Sequence, residues 1–192
     1  MIEDYYSLFK NFNFINKNYL IFKGILPPSI LDEINLFVVE SRKYKNHPLG
    51  FLKSMHNSIS NDIYQCFVPF SLVNSSLFYS YLSYLANFYK TKFKNNLEEL
   101  KLNKKYYLGH DTYDLWVNFS KKNSHITSHS HQGIVSGIVY VNNFEKAPTI
   151  FNKDFSYIGK PGEILLFPSN LKHEVPKQIT DTERVTISFN LR

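Results

Sequence analysis

Cysteine is almost missing from this 192-residue chain: Cys66 stands alone. A single thiol excludes an intrachain disulfide framework and a cysteine-rich zinc module, and it points to a reducing compartment. Long hydrophobic runs are missing too, since none approaches the ~18 residues that a membrane-spanning helix needs. The opening Met1-Ile-Glu-Asp-Tyr5 lacks the basic and apolar regions of a signal peptide. The expectation is a soluble, cytoplasmic protein with no membrane partner. Internal repeats, low-complexity tracts and linkers do not occur. Arginine is scarce, with only Arg42, Arg184 and Arg192, although Lys plus Arg totals 22. Lys, Asn and Ile are abundant, as an AT-rich genome would produce. Most lysines therefore need no functional account, and a retained arginine is the more informative cation.

What is present describes an ordered domain. Hydrophobic residues make up 43% and charged residues 20%, which excludes a disordered chain. The length suits one domain that buries its own core. Aromatics reach 17%, a load that favours strands and a broad core. The formal net charge of +6 raises the question of a nucleic-acid or anionic partner. The lysines are scattered, with short clusters such as Lys101-Leu-Asn-Lys-Lys105, and form no basic stripe interleaved with stacking aromatics. Nucleic acid is therefore disfavoured.

The chain divides at about residue 105 within a single domain. Residues 1–105 read as a helical support region. Tyr19 to Gly24 reads as a short opening strand. A helix follows Pro27-Pro28, with Ser29 as its expected N-cap and Asp32 and Glu33 in its first turn. Ile30, Leu31, Ile34, Phe37 and Val38 recur at helical spacing. A second helix is expected from near Ser75 to about Lys92, with Leu77, Tyr81, Leu85 and Phe88 as its apolar stripe. Residues 106–192 read as strands: Tyr113–Phe119, Ile134–Val141, Pro148–Phe151, Gly162–Pro168 and Arg184–Asn190. Several short strands separated by turn signals indicate an antiparallel sandwich or barrel, buttressed by helices in an α+β, mainly β layout. A homodimer through the N-terminal helices is compatible with this pattern but not demanded by it.

Three of the seven histidines cluster in His125-Ile-Thr-Ser-His129-Ser-His131. On a strand, residues i and i+2 share a face, so His129 and His131 would project two imidazoles together. Imidazole is the commonest metal ligand, and two on one strand need a third from elsewhere. His173, beyond the strand that ends at Pro168, is the best candidate. A surface or hydrogen-bonded histidine pair remains the alternative from this motif alone. His125 reads as an exposed loop residue, and His47, His56 and His110 read as structural.

Arg184 heads the alternation Arg184-Val-Thr186-Ile-Ser188. A guanidinium and a hydroxyl on one face make a carboxylate clamp, because arginine offers a bidentate fork. An ion pair of Arg184 with Glu183 or with a neighbouring strand is the alternative.

Taken in order, these pieces resemble the 2-oxoglutarate and Fe(II)-dependent oxygenase superfamily. Within it they resemble a branch of oxygenases found in marine bacteria and their phages. The residues that carry the resemblance begin with Trp116-x-Asn118, His129-Ser-His131 and Ser136-Gly-Ile-Val-Tyr140. They continue with Gly162-Glu-Ile-Leu-Leu-Phe-Pro-Ser169, His173-Glu-Val-Pro176 and Arg184-Val-Thr-Ile-Ser-Phe-Asn190. The likeness spans roughly Leu115 to Leu191, and the first hundred residues contribute nothing to it. It implies a double-stranded β-helix, a cupin-like jelly roll with the metal near its open end. It also implies Fe(II) and 2-oxoglutarate as cofactors and hydroxylation of a peptidyl or small-molecule substrate. By position, His129, His131 and His173 would hold the metal. Arg184 would bind the distal carboxylate of 2-oxoglutarate with help from Thr186. Tyr140 stands where a tyrosine hydroxyl often joins that carboxylate, though a core aromatic suits the position equally. Asn118 would line the same cavity, and Trp116 would be either a pocket wall or a packed core side chain.

One departure from the superfamily matters. Most members use His-x-Asp/Glu, giving two imidazoles and one carboxylate, and here His131 holds the carboxylate position. Three neutral imidazoles leave the site one unit more positive. Glu174 does not substitute, because the neighbour of His173 on an extended chain faces away. Two rivals stay open: a three-His cupin-type dioxygenase independent of 2-oxoglutarate, and a non-catalytic jelly-roll binding module.

Overall fold

A computed structural model describes residues 12–43, 63–67, 77–92, 113–142 and 147–191. The strands in chain order are β1 (Asn13–Asn16), β2 (Ile21–Ile25), β3 (Ile63–Phe67), β4 (Tyr113–Ser120), β5 (Ile126–His129), β6 (Val135–Tyr140), β7 (Thr149–Phe151), β8 (Phe155–Tyr157), β9 (Glu163–Pro168), β10 (His173–Val175) and β11 (Arg184–Leu191). The helices are α1 (Pro28–Lys43) and α2 (Leu77–Lys92). Seven strands form one sheet in the order β1-β2-β9-β6-β11-β4-β3, and four form a second in the order β5-β10-β7-β8. The pairings are antiparallel and join strands far apart in sequence, as when β11 sits between β4 and β6. Two facing antiparallel sheets wound in this way are the expected jelly roll. The first half of the chain supplies β1, β2 and β3 to the larger sheet as well as the two helices.

Strict alternation in the larger sheet divides its side chains between two cores. Val185, Ile187, Phe189 and Leu191 of β11, Leu115, Val117 and Phe119 of β4, and Ile164 and Leu166 of β9 face one way. They meet Ile30, Ile34 and Phe37 of α1 and Phe78, Leu82 and Leu85 of α2. The opposite face carries Ile138, Tyr140, Leu165 and Phe167 toward Phe151 and Leu171, forming the interior between the sheets. Arg184, Thr186 and Asn190 alternate with the helix-facing residues of β11, so they point into that interior. A one-residue slip of β11 would exchange the two sets. Gly137 lies opposite Phe189 across the β6–β11 pair, and a Cβ there would fall 2.0 Å from the Phe189 ring. The aromatic ring occupies the space a side chain would need.

The helix starts differ from expectation. Helix α1 begins at Pro28, and the Pro27 carbonyl accepts bonds from the Ile30 and Leu31 amides, both at 3.1 Å. Proline suits this first position because its missing N–H would lack a helical partner anyway. Ser29 therefore lies inside the first turn rather than capping it, and that turn holds no acid. Glu33 instead caps the other helix. Its carboxylate accepts the amides of Leu77 at 3.0 Å and Phe78 at 2.8 Å, two donors that a helix N-terminus leaves without an internal partner. At the far end of α1, the Arg42 guanidinium lies 4.5 Å from the centroid of the Phe119 ring and pairs with Glu183. No helix among the described residues is long and apolar enough to cross a membrane.

Candidate metal and anion site

Strands β5 and β10 place His129 and His173 directly opposite one another in antiparallel register. His131 lies just past the end of β5, in an irregular turn, rather than on the strand with His129. The three rings nevertheless converge. Their centroids are 4.4 Å apart for His129–His173, 4.9 Å for His129–His131 and 5.1 Å for His131–His173. One nitrogen from each ring lies within 4.8 Å of the other two. Metal–nitrogen bonds of ~2.0–2.1 Å would bring the ligand atoms to ~3 Å of each other, a small side-chain movement from here.

Two of the rings are held in a defined tautomer. His129 Nδ1 lies 2.9 Å from the Thr127 carbonyl, and His173 Nδ1 lies 2.9 Å from the Leu171 carbonyl. A carbonyl only accepts, so each Nδ1 carries the proton and each Nε2 presents its lone pair. A hydrogen bond from the far ring nitrogen to a carbonyl orients metal-binding histidines in this way. Burial pushes the His173 pKa down to about 3, helped by the His129 and His131 rings and opposed by the Leu171 carbonyl. The ring therefore stays neutral and able to bind a cation. Phe167 and Phe151 pack around His173, with centroids at 5.0 and 6.1 Å. The Trp116 ring lies 5.6 Å from that of His131. Glu174 is only half-buried between the buried His173 and Val175, as alternation requires.

The turn that carries His131 has its own support. The His131 amide donates to the Ser169 carbonyl at 2.8 Å, and the Ser169 amide donates to the Ile134 carbonyl at 3.2 Å. Ser136 Oγ lies 2.9 Å from Ser169 Oγ and donates to Asn190 Oδ1 at 2.7 Å. Ser136, Ser169 and Asn190 are all buried. The serine of Ser136-Gly137 and the terminal serine of Phe167-Pro-Ser169 thus meet behind the turn.

A second polar group lies on the same interior face. Arg184 is fully buried, and burial draws its pKa down from the usual arginine value. The guanidinium stays charged even so. It donates to Thr186 Oγ1 at 3.5 Å and to Thr149 Oγ1 at 3.4 Å, both near the long limit for such bonds. Tyr140 Oη shares a 2.9 Å bond with Thr149 Oγ1, and the guanidinium lies 6.0 Å from the Tyr140 ring centroid. Burial pushes the Tyr140 hydroxyl up to about 12 against the opposing pull of Arg184 and Thr149. Asn118 Nδ2 donates to Thr186 Oγ1 at 3.2 Å and Ser188 Oγ at 2.9 Å, and its Oδ1 accepts from Gln65 Nε2 at 2.6 Å. A connected polar chain therefore runs from Gln65 through Asn118, Thr186, Arg184 and Thr149 to Tyr140.

The residues singled out in the sequence for the metal or the anion lie on this side of the larger sheet or facing it, with His173, Arg184, Thr186, Tyr140, Asn118 and Trp116 buried and His129 and His131 half-buried. Glu183, the alternative partner for Arg184, instead pairs with Arg42. His125 is exposed, and His47, His56 and His110 lie outside the described residues. Thr149, Gln65 and Ser169 were not singled out. A signal for Thr149 existed: in the extended Pro148–Phe151 segment it shares a face with Phe151, which pairs with His173. Gln65 offered none, because its contact with Asn118 depends on β3 pairing with β4 across 53 residues.

Residues 143–190 match the family model described as "Putative 2OG-Fe(II) oxygenase". The matched segment, about a quarter of the chain, contains Thr149, His173, Arg184 and Thr186 and stops short of His129 and His131. No curated protein sequence matches the chain. Among solved structures, a prolyl-4-hydroxylase from Pseudomonas putida aligns over 98% of both chains with a TM-score of 0.58 and 13% identity. A 2OG-Fe(II) oxygenase family oxidoreductase from Burkholderia pseudomallei aligns over 97% of this chain and 87% of its own, with a TM-score of 0.51 and 14% identity. A Trichoplax adhaerens prolyl hydroxylase, solved with a hypoxia inducible factor oxygen degradation domain peptide fragment, aligns over 97% and 86%, with a TM-score of 0.52 and 17% identity. At these identities the likeness is one of fold, and it covers nearly the whole chain, including the N-terminal half.

Proposed function

We propose that this protein is a non-haem Fe(II) and 2-oxoglutarate-dependent oxygenase that hydroxylates a peptidyl or small-molecule substrate. The observation that carries this reading is the shared interior of the three-imidazole cluster and the buried Arg184. His129 and His173 offer Nε2 lone pairs from rings fixed by backbone carbonyls, and His131 completes a set of neutral nitrogen donors suited to iron. Arg184 supplies a cationic fork for the distal carboxylate of 2-oxoglutarate. Thr186, Thr149 and Tyr140 supply hydroxyls beside it, and Asn118 orients Thr186. Fe(II) together with 2-oxoglutarate would supply the oxidation of the substrate by dioxygen, with the co-substrate leaving as succinate and CO₂. The protein's share is to bind, orient and keep water from the interior that Phe151, Phe167 and Trp116 enclose.

A peptidyl substrate gains support from the prolyl hydroxylases that share the fold, one of them solved with a peptide. The test is oxygen uptake and succinate release by protein loaded anaerobically with Fe(II), with and without 2-oxoglutarate. Uptake that requires 2-oxoglutarate and yields succinate is the expected result. The all-imidazole cluster favours one alternative, a dioxygenase that needs no 2-oxoglutarate and uses Arg184 for an acid group of its own substrate. Uptake unaffected by 2-oxoglutarate would establish that alternative.

A further inference from the structure

Ser136, Ser169 and Asn190 belong to the sequence motifs, yet they lie outside both the histidine cluster and the anion corner. All three are buried. Ser136 of β6 is the register partner of Asn190 on β11. Its partner on the other side is Phe167 of β9, two residues before Ser169. Ser136 Oγ is bonded in both directions, at 2.7 Å to Asn190 Oδ1 and at 2.9 Å to Ser169 Oγ. Buried hydroxyls and amides are tolerated when bonded in this way. Apolar side chains of the same shape would fill the space about as well, so the polar trio calls for a role beyond packing.

We propose that Ser169, tied through Ser136 to Asn190, is the positioning residue that sets His131 against His129 and His173. The proposal rests on the three-histidine reading of the site. His131 lies past the end of β5, and Ser169 lies past the end of β9. The two segments hold each other through the main chain. The Ser169 carbonyl accepts the His131 amide at 2.8 Å, and the Ser169 amide donates to the Ile134 carbonyl at 3.2 Å. The turn they bracket is tight. Gly133 has a φ of +141°, and a Cβ there would lie 3.2 Å from Ser169 Oγ and 3.0 Å from the Leu191 carbonyl oxygen. The Ser169 hydroxyl therefore packs between the Gly133 main chain and Ser136. Its bond to Ser136 refers the position of the turn back to β6 and β11. The same segment leads on to another ligand. The Leu171 amide donates to the Pro168 carbonyl at 2.9 Å, and the Leu171 carbonyl orients the His173 ring. Ser169 thus stands between the supports of two of the three histidines.

The experiment is Co(II) binding to the full-length apo protein, followed by visible absorption and calorimetry. The variants are Ser169→Ala, Ser136→Ala and His131→Ala, with each serine change also made together with His131→Ala. Disturbing the partners that orient a metal ligand costs ~10–100-fold in affinity. Ser169→Ala should lose affinity in that range and shift the Co(II) bands. Ser136→Ala should shift them in the same direction, because it breaks the same tie. Once His131 is gone, neither serine change should cost anything further, since two residues that act together fail to add. A merely structural role would weaken metal binding equally with and without His131, and that result would overturn the proposal. Wild-type affinity and spectrum in Ser169→Ala would overturn it too. If Ser169→Ala fails to fold by circular dichroism, Ser136→Ala, which leaves Ser169 intact, is read by the same two outcomes. The three-histidine reading fails separately, if His131→Ala itself binds Co(II) with the wild-type affinity and spectrum.

Discussion

His129 and His173 are Cα partners across two antiparallel strands, and each donates Nδ1–H to the carbonyl of the residue two places before it. The two rings are thus oriented by the same backbone device on facing strands. Removing either ring should abolish stoichiometric metal. His173→Ala and His129→Ala are expected to bind no Fe(II) or Co(II) by calorimetry while keeping a cooperative thermal transition. Retention of one equivalent of metal in either variant would show that the cluster is not the metal site.

In the proposed reading, Arg184 acts on the co-substrate and not on the metal. Hydrogen bonds to charged groups are worth ~1.5–3 kcal/mol each, so loss of the guanidinium fork should weaken 2-oxoglutarate binding on the order of 100-fold. Arg184→Lys should recover only part of this, because an ammonium is a point charge without the planar fork. Equilibrium binding of 2-oxoglutarate and of Co(II), measured separately, checks the separation. Equal 2-oxoglutarate affinity in Arg184→Ala would remove Arg184 from the anion site.

Gly159 controls the same corner from outside it. A Cβ there would lie 2.2 Å from Cγ of Tyr140, at the root of the ring, so the whole ring would have to move. Gly159→Ala should therefore break the Tyr140–Thr149 bond. Overpacking costs of ~1–3 kcal/mol would lower Tm by roughly 2–4 °C per kcal/mol in a protein of this size. The variant should bind 2-oxoglutarate several-fold more weakly with metal affinity unchanged. If Tyr140→Phe binds 2-oxoglutarate as wild type does, the Tyr140 hydroxyl takes no part.

The alternating segments were the legible part of this molecule. Arg184–Asn190 and Tyr113–Phe119 each match their observed strands within one residue at either end, because polar and apolar side chains serve two different cores there. Short strands such as β8 and β10 span three residues each, too few to show a period. His131 lies beside His129 although the strand that should have carried both ends before it, because the turn held by Ser169 brings the ring back. The helix cap was missed for a related reason: the group that caps α2 is Glu33, 44 residues before Leu77. Long-range contacts such as Gln65–Asn118 follow from topology and leave no local trace.

Buried tyrosines make the fold sensitive to alkali. Burial raises the pKa of Tyr64, Tyr81, Tyr89, Tyr140 and Tyr157, to about 12 for Tyr140 and beyond that for the others. In the unfolded chain these hydroxyls ionise near 10. Their contribution to stability is complete below pH ~10 and falls as the pH rises toward the folded values, because only the unfolded state has lost its protons. Tm should drop steeply above pH ~10, and absorbance at ~295 nm should show these phenols titrating together with unfolding. Reversible titration of all tyrosines near pH 10 in protein that stays folded would contradict the buried positions.

Because Trp116 is the only tryptophan and lies against His131, its emission should report occupancy of the metal site. Co(II) or Fe(II) added to the apo protein should quench it in proportion to bound metal and saturate at one equivalent. His173→Ala, which retains Trp116 and its contact with His131, should show no saturable quenching. Zn(II) has a filled d shell and no visible absorption, so it should bind with far less quenching. Subsequent 2-oxoglutarate should change the residual emission only in protein that retains Arg184, since the co-substrate would enter the interior beside Trp116. Tryptophan emission indifferent to one equivalent of Co(II), under conditions where calorimetry shows binding, would place the metal away from His131 and remove that ring from the ligand set.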